Sequence, residues 1–548
     1  VLLNNRIRKE MRFLLVAIPV IILLSGITTC YMQPVGYDAN PSVYSPAGLS
    51  FVDRDHTADE IEGDLYIQPA EDESIVTDYN VYLGTSTTKN AIPEASYPST
   101  GSTIIHNFGA NTPLGGRTHI HVCGVGPDGE YGECRKMDIQ DIVVEVFPGG
   151  ICDNIPTGFW EMNGYLYMSL EKGADFFELF RTDGVNSINI VGSLQSIYGP
   201  VVELDGNLYY VANGGAGTEL SWYDGSTEGQ FDVTAGAGSS NVSLLEILNG
   251  HLFFCDNNTG VLYYIDDSMN NQSVTPVAPA VDPDTSEMIP LNNYLYMDCD
   301  TTDGVELCRA DETGVTRLAD INTGAGNSNP HNFIVYNNRV YFAADDGTNG
   351  VELWVTDGTA GGTVMVKNIN SGGSSDPDNM TLFDNRLFFR ANDGITGWEL
   401  WATDGTTAGT VLVKDTNPGA ADGSPLSMVA VGNNLYLSTN NGIDGRELWI
   451  SDGTSAGTYM LKDINPGLGG SGPGTFHSFK GKVFFRADDG ANGKELWVTD
   501  GSAANTYMVG DIDPGASGMY PLSPTVFNDK VYYSTDIGSG EVWVLYYQ

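Results

Sequence analysis

From about residue 142 to the C-terminus, apolar and polar residues alternate in short runs, each broken by Asn, Asp or Gly. Period-two alternation turns successive side chains to opposite faces, which is the patterning of β-strands. The clearest copy spans 332–367, with strands at 332–336, 339–344, 351–356 and 363–367. The turn Asn337-Asn338, the loop 345–350 and the turn 357–362 join them. Connections this short predict an antiparallel meander. The turn residues agree, because Asn-Gly, Asp-Gly and Asn-Asn tolerate the positive φ that two-residue hairpin turns require.

The unit recurs. Its first turn begins at Asn163, Asp205, Asn249, Asn292, Asn337, Asp384, Gly432, Lys480 and Asn528, by subtraction 42 to 48 residues apart. A four-stranded unit of that period is too small to bury its own apolar face and must stack on its neighbours. Arranged radially, such units are the blades of a β-propeller. The count predicts nine blades, or eight if the worn copy at 249–276 is not a full blade. The last copy stops after Glu541-Val542-Trp543-Val544-Leu545-Tyr546-Tyr547, without a fourth strand. Ahead of the first copy, Ile142-Val143-Val144-Glu145-Val146-Phe147 has the character of that missing strand. The expected propeller, residues 142–548, is therefore a closed ring with no exposed sheet edge.

The third strand of each copy carries a further repetition. It reads Glu178-Leu179-Phe180, Glu219-Leu220-Ser221, Val261-Leu262-Tyr263, Glu306-Leu307-Cys308, Glu352-Leu353-Trp354, Glu399-Leu400-Trp401, Glu447-Leu448-Trp449, Glu495-Leu496-Trp497 and Glu541-Val542-Trp543, with glutamate in eight of the nine. Asp357-Gly358-Thr359, Asp404-Gly405-Thr406, Asp452-Gly453-Thr454 and Asp500-Gly501-Ser502 follow four of these. Here the chain resembles the bacterial E-L-W-x-x-D-G-T repeat proteins. The resemblance implies an exported repeat protein and brings no catalytic residues with it.

Upstream the pattern changes. Short runs at 49–52, 63–67, 79–83, 102–105 and 119–122, between Gly, Pro and Asp turns, predict a sandwich over residues 48–141. The stretch 51–83 resembles the fibronectin type III-like modules of bacterial surface proteins, which are most often spacers. Residues 30–47 have no periodicity and read as a tether. Residues 1–29 read as a signal peptide, with Arg6, Arg8, Lys9 and Arg12 ahead of the apolar run 13–24. Cys30 then stands where a bacterial lipoprotein carries its lipidated cysteine. An ordinary secretory signal is the alternative, and either predicts an extracytoplasmic protein.

Export changes the reading of the cysteines. Beyond Cys30 there are six, and an even number in an oxidising compartment favours disulfides. Cys123 and Cys134 flank a hairpin-like loop, and Cys299 and Cys308 sit on consecutive strands of one repeat; both pairs are expected to bond. Cys152 with Cys255 follows only by elimination, and both could equally be buried thiols.

Charge excludes one class of partner. The 548 residues carry a net charge of -45 from scattered Asp and Glu. Such a field repels phosphate backbones, so nucleic acid is not an expected partner. The repeated glutamate, Glu352 in the clearest copy, shares a strand face with Trp354 and needs donors from neighbouring turns. Eight such copies read as architecture rather than catalysis. The loops Asp345-Asp346-Gly347, Asn392-Asp393-Gly394 and Asp488-Asp489-Gly490 offer oxygens that suit either a tight turn or calcium. Seven histidines are scattered, His119 and His121 on one strand face among them, and no hydrolase or phosphate-binding motif appears. The expected function is binding at the cell surface, of protein or glycan, through propeller loops. A glycan hydrolase or lyase with acids and Arg or His converging on the axis is one alternative. A structural subunit of an extracellular assembly is another.

Overall fold

The computed structural model describes residues 287–510 without a break, and elsewhere between 49 and 546 most strands and shorter turns. The expected signal peptide, Cys30 and the tether lie outside the described residues. Among those residues there is no α-helix, only a short 3-10 turn at Ala360–Gly362, so none is long and apolar enough to cross a membrane.

The chain is all-β and is built from four-stranded antiparallel sheets, eight of which are each one repeat taken in chain order. The worn copy is complete: Val242–Leu248, His251–Asp256, Val261–Asp266 and Val274–Pro276 pair as a full sheet. A ninth group consists of Leu522–Phe527, Lys530–Thr535 and Glu541–Tyr546. Its fourth strand is Val143–Glu145, paired antiparallel through Trp543↔Glu145, Val544↔Val144 and Leu545↔Val143. From the second sheet to the ninth, each first strand lies beside the first strand of the next sheet, and the ninth lies beside the first.

Strand alternation explains why the sheets stack. In the sixth repeat Leu387, Phe389, Ala391 and Trp401 pack with Tyr341, Leu353 and Val355 of the fifth. The intervening Phe388, with Leu400 and Ala402, packs with Leu435, Leu437 and Trp449 of the seventh. The sixth sheet thus buries both faces, and each large apolar side chain so enclosed contributes roughly 1.5–3 kcal/mol. The hairpin turns have the backbone that their composition predicts, with φ of 50° and 55° at Asn337 and Asn338 and 53° and 82° at Asn249 and Gly250.

Residues 49–138 form two antiparallel sheets. One contains Leu49–Asp53, Glu60–Ile67 and Ile104–Pro113; the other contains Ala95–Pro98, Asp78–Gly84, His119–Gly126, Gly129–Glu130 and Arg135–Asp138. Leu65, Ile67, Val81, Ile120 and Val122 are fully buried. The first sheet continues into the repeats, because Val52 pairs in parallel with Val143. A seven-stranded sheet therefore runs from the ninth repeat through Val143–Glu145 to Ile104–Pro113. The sequence gives no sign of this joint.

Candidate functional site

The repeated glutamates are anchored within the scaffold. Glu306, Glu352, Glu399, Glu447 and Glu495 are all completely buried. The Glu352 carboxylate accepts from the Ile369 and Asn370 amides at 2.9 and 3.0 Å and from Ser375 Oγ at 2.6 Å. Glu447 does the same with Ile464, Ser471 and Asn465. Glu306, Glu352, Glu399 and Glu447 therefore each fasten the linker that leads to the next repeat. Burial pushes the carboxyls of Glu306, Glu352 and Glu447 up, against the opposing pull of these donors. At Glu399 burial carries the pKa up to about 7.

The acidic turns are also internally occupied. Asp357 Oδ1 accepts from the Thr359 amide and hydroxyl, and these bonds hold its carboxyl below the ordinary range. Asp346 Oδ1 accepts from the Thr348 and Asn349 amides, and Oδ2 from Asn349 Nδ2. Asp393 and Asp489 repeat the arrangement. Turn chemistry accounts for these oxygens. Among the described residues no three His, Cys, Asp or Glu side chains converge as a metal site. His121 is buried, and nothing brings a metal-holding group together around it.

Chemistry that differs between copies lies on the first strands. In the fifth to eighth repeats this strand contains a bulge, as the register shows by skipping a residue between His331 and Ile334, Asp378 and Thr381, Leu426 and Val429, and Gly474 and His477. Paired left-handed residues flank it: Asn329 and Asn332, Asp376 and Asn379, Ser424 and Ser427, Gly472 and Thr475, with φ of 43° to 57°. Strained backbone of this kind re-aims side chains and persists only where its surroundings enforce it. Asn332 Nδ2 reaches the Pro377 carbonyl of the next repeat at 3.2 Å.

Between these strands opens a cavity of about 410 Å³. Glu287 from the fourth repeat, Asn332 and Phe333 from the fifth, and Asp378, Asn379 and Met380 from the sixth line it. Arg390 Nε donates to Asp378 Oδ1 at 2.7 Å and Nη2 donates to Oδ2, while the guanidinium lies 4.5 Å over the Trp398 ring. Burial raises the nearby Asp376 carboxyl; His331 and Arg390 oppose the shift, and Asp378 and Asp345 add to it. Beyond them Arg446 donates to the Ser424 and Ser438 carbonyls, and burial with Arg390 nearby pushes its guanidinium down. Acids, His and Arg from successive repeats thus meet at one end of the first strands.

Sequence reasoning placed the glutamates and turns correctly but missed this cluster. His331 was visible only as one of seven scattered histidines. The available signal was column by column: in register-equivalent places stand His331, Asp378, Leu426 and Gly474, facing Ala343, Arg390, Ser438 and Arg486. The two expected disulfides, Cys123–Cys134 and Cys299–Cys308, are bonded, with Cα atoms 4.2 and 5.9 Å apart. Cys255 is buried in the same core as Cys299 and Cys308, and Cys152 lies outside the described residues.

Comparison with protein families returns no match, and comparison with curated proteins returns none. Several solved structures are distantly similar. A computationally designed protein, Ika8, is 16% identical over 72% of this chain and 98% of its own, with a TM-score of 0.38. A mutant puromycin hydrolase complexed with PGG is 12% identical over 71% of this chain, with a TM-score of 0.38; this chain spans 60% of its length. The dihydro-heme d1 dehydrogenase NirN is 13% identical over 67% of this chain and 76% of its own, with a TM-score of 0.39. Similarities this distant transfer no activity.

Proposed function

We propose that this is an exported glycan-binding protein whose nine repeats close into a β-propeller and whose ligand enters the axial cavity. The observation that carries the reading is a division of labour among the polar groups. The repeated acids are consumed by their own turns and linkers, whereas the cavity is lined by Glu287, by Asp378, which Arg390 holds, and by Asn332 and Asn379, which occupy the same place in successive repeats. Carboxylates and amides beside an apolar surface such as Phe333 and Met380 are suited to a hydroxyl-rich ligand. Pairing of Val143–Glu145 with the last repeat, and adjacency of the ninth and first inner strands, support closure. Two disulfides support an oxidising compartment. Lipidation at Cys30 and a fibronectin type III-like spacer at 48–141 complete the reading as a surface protein.

A glycan array with the full chain tests it. Binding is expected without turnover, and Asn379→Gly should weaken it about tenfold with an unchanged Tm. Glycine accepts the positive φ at 379, so this variant removes the amide without straining the backbone. Absence of any glycan bound would sink the proposal. The meeting of His331, Asp376, Asp378 and Arg390 favours a second reading, a glycan hydrolase or lyase. Release of reducing ends from a bound oligosaccharide would establish that reading in place of the first.

A further inference from the structure

The sixth and eighth repeats carry the same arginine in the same place, with one difference. Arg390 stands opposite Asp378 in the paired first and second strands, and Arg486 stands opposite Gly474. In the sixth repeat the aspartate takes both the Nε and Nη2 edges of the guanidinium. In the eighth there is no side chain to do so. Arg486 Nε is buried with no hydrogen-bond partner. Its Nη2 lies 3.8 Å from where a Cβ on residue 474 would stand, and Ser427 Oγ of the preceding repeat lies 3.8 Å from the same point. The eighth repeat thus has room for a Cβ, with the Arg486 and Ser427 donors beside it, where the sixth repeat holds a carboxylate.

We infer that Arg486 anchors a carboxylate of the ligand, so that the glycan recognised at the axis carries uronic acid residues. This rests on the glycan-binding reading above and names its substrate class. A buried guanidinium Nε without an acceptor loses its hydration with nothing in return, and a carboxylate that also reaches Nη2 is the acceptor its geometry fits best. A chain with 70 acidic and 25 basic residues does not leave an arginine unpaired for want of acids. Asp378 lines the cavity, and Gly474 takes the register-equivalent place two repeats on, at the same depth along the first strands. Ser427 adds a hydroxyl donor.

The test compares an oligogalacturonate with its methyl ester by calorimetry on the full chain, in the wild type, Arg486→Gln and Gly474→Asp. Residue 474 has no positive φ and no neighbour nearer than 3.8 Å to a new Cβ, so the aspartate fits and supplies an internal carboxylate. The wild type should bind the acid at least tenfold more tightly than the ester. Both variants should lose that preference, and Gly474→Asp should retain or raise the wild-type Tm. Equal binding of acid and ester by the wild type, or a preference that survives Gly474→Asp, overturns the inference. Free glucuronate, read as a thermal shift, separates it from the reading on which it rests. A shift in the wild type that Gly474→Asp abolishes supports the carboxylate anchor even where no oligosaccharide binds, and removes only the glycan reading. No shift with glucuronate overturns the anchor and leaves the array to decide on neutral glycans.

Discussion

A carboxyl group with no exposed surface must either be matched by donors or give up its charge. Glu399 does part of each: the Thr416 amide, the Thr416 hydroxyl and the Gly423 amide point at it, yet burial carries its pKa up to about 7. The folded pKa lies above the ordinary value of 4.5, so the folded state holds its proton longer than the unfolded chain. Its contribution to stability is complete below about pH 4.5 and is lost as pH rises through 7, at up to about 1.4 kcal/mol per unit. Glu306, Glu352 and Glu447 shift in the same direction and add to the slope. Thermal denaturation from pH 5 to 8 should show a falling Tm, and the slope should be shallower in Glu399→Gln; a wild type that gains stability over this range would contradict the assignment. The structural role of these glutamates was legible because they repeat. Their donors were harder to see: they arrive 15 to 24 residues later, from linkers that also recur (Ile321-Asn322, Ile369-Asn370, Thr416-Asn417, Ile464-Asn465) but lie beyond the reach of a local pattern.

Among the elements, the turns were readable and the bulges were not. Asn337-Asn338 announces positive φ through its residue types, whereas Leu244, Ser427 and Thr475 adopt it without any such sign. Their conformation is imposed by pairing within the sheet and by the next repeat. The Asp-Gly-Thr turns show what such contacts demand. Gly405 has a φ of +90°, and a Cβ there would stand 2.3 Å from Tyr341 Oη of the preceding repeat. Gly250 has a φ of +82° with nothing within 4 Å. Gly405→Ala should therefore cost about 2 kcal/mol or more, and Gly250→Ala about 1 kcal/mol from the backbone alone. Chemical denaturation of the two variants measures the difference, and equal losses would show that the Tyr341 contact is not tight. The glycine of each such turn is conserved within the molecule because a neighbour's tyrosine or arginine occupies its side-chain space.

At the scale of the whole molecule, the repeat length foretold the nine sheets, and the incomplete last copy foretold its completion by Val143–Glu145. Replacing Val144 by proline removes a ladder hydrogen bond from that strand. The expected result is a loss of about 1–2 kcal/mol, a lower Tm and a larger radius of gyration by small-angle scattering. An unchanged radius and Tm would argue against that strand as a stabilising part of the last repeat. What the sequence did not show is the pairing of Val52 with Val143, because a single parallel contact between distant segments leaves no local pattern. That contact has a mechanical consequence. A load applied at Leu49 enters the three-stranded sheet and reaches Val143–Glu145, the fourth strand of the last repeat. Residues 49–67 and the last repeat therefore share one continuous sheet, and a force on the first would be borne in part by the pairing of Val143–Glu145.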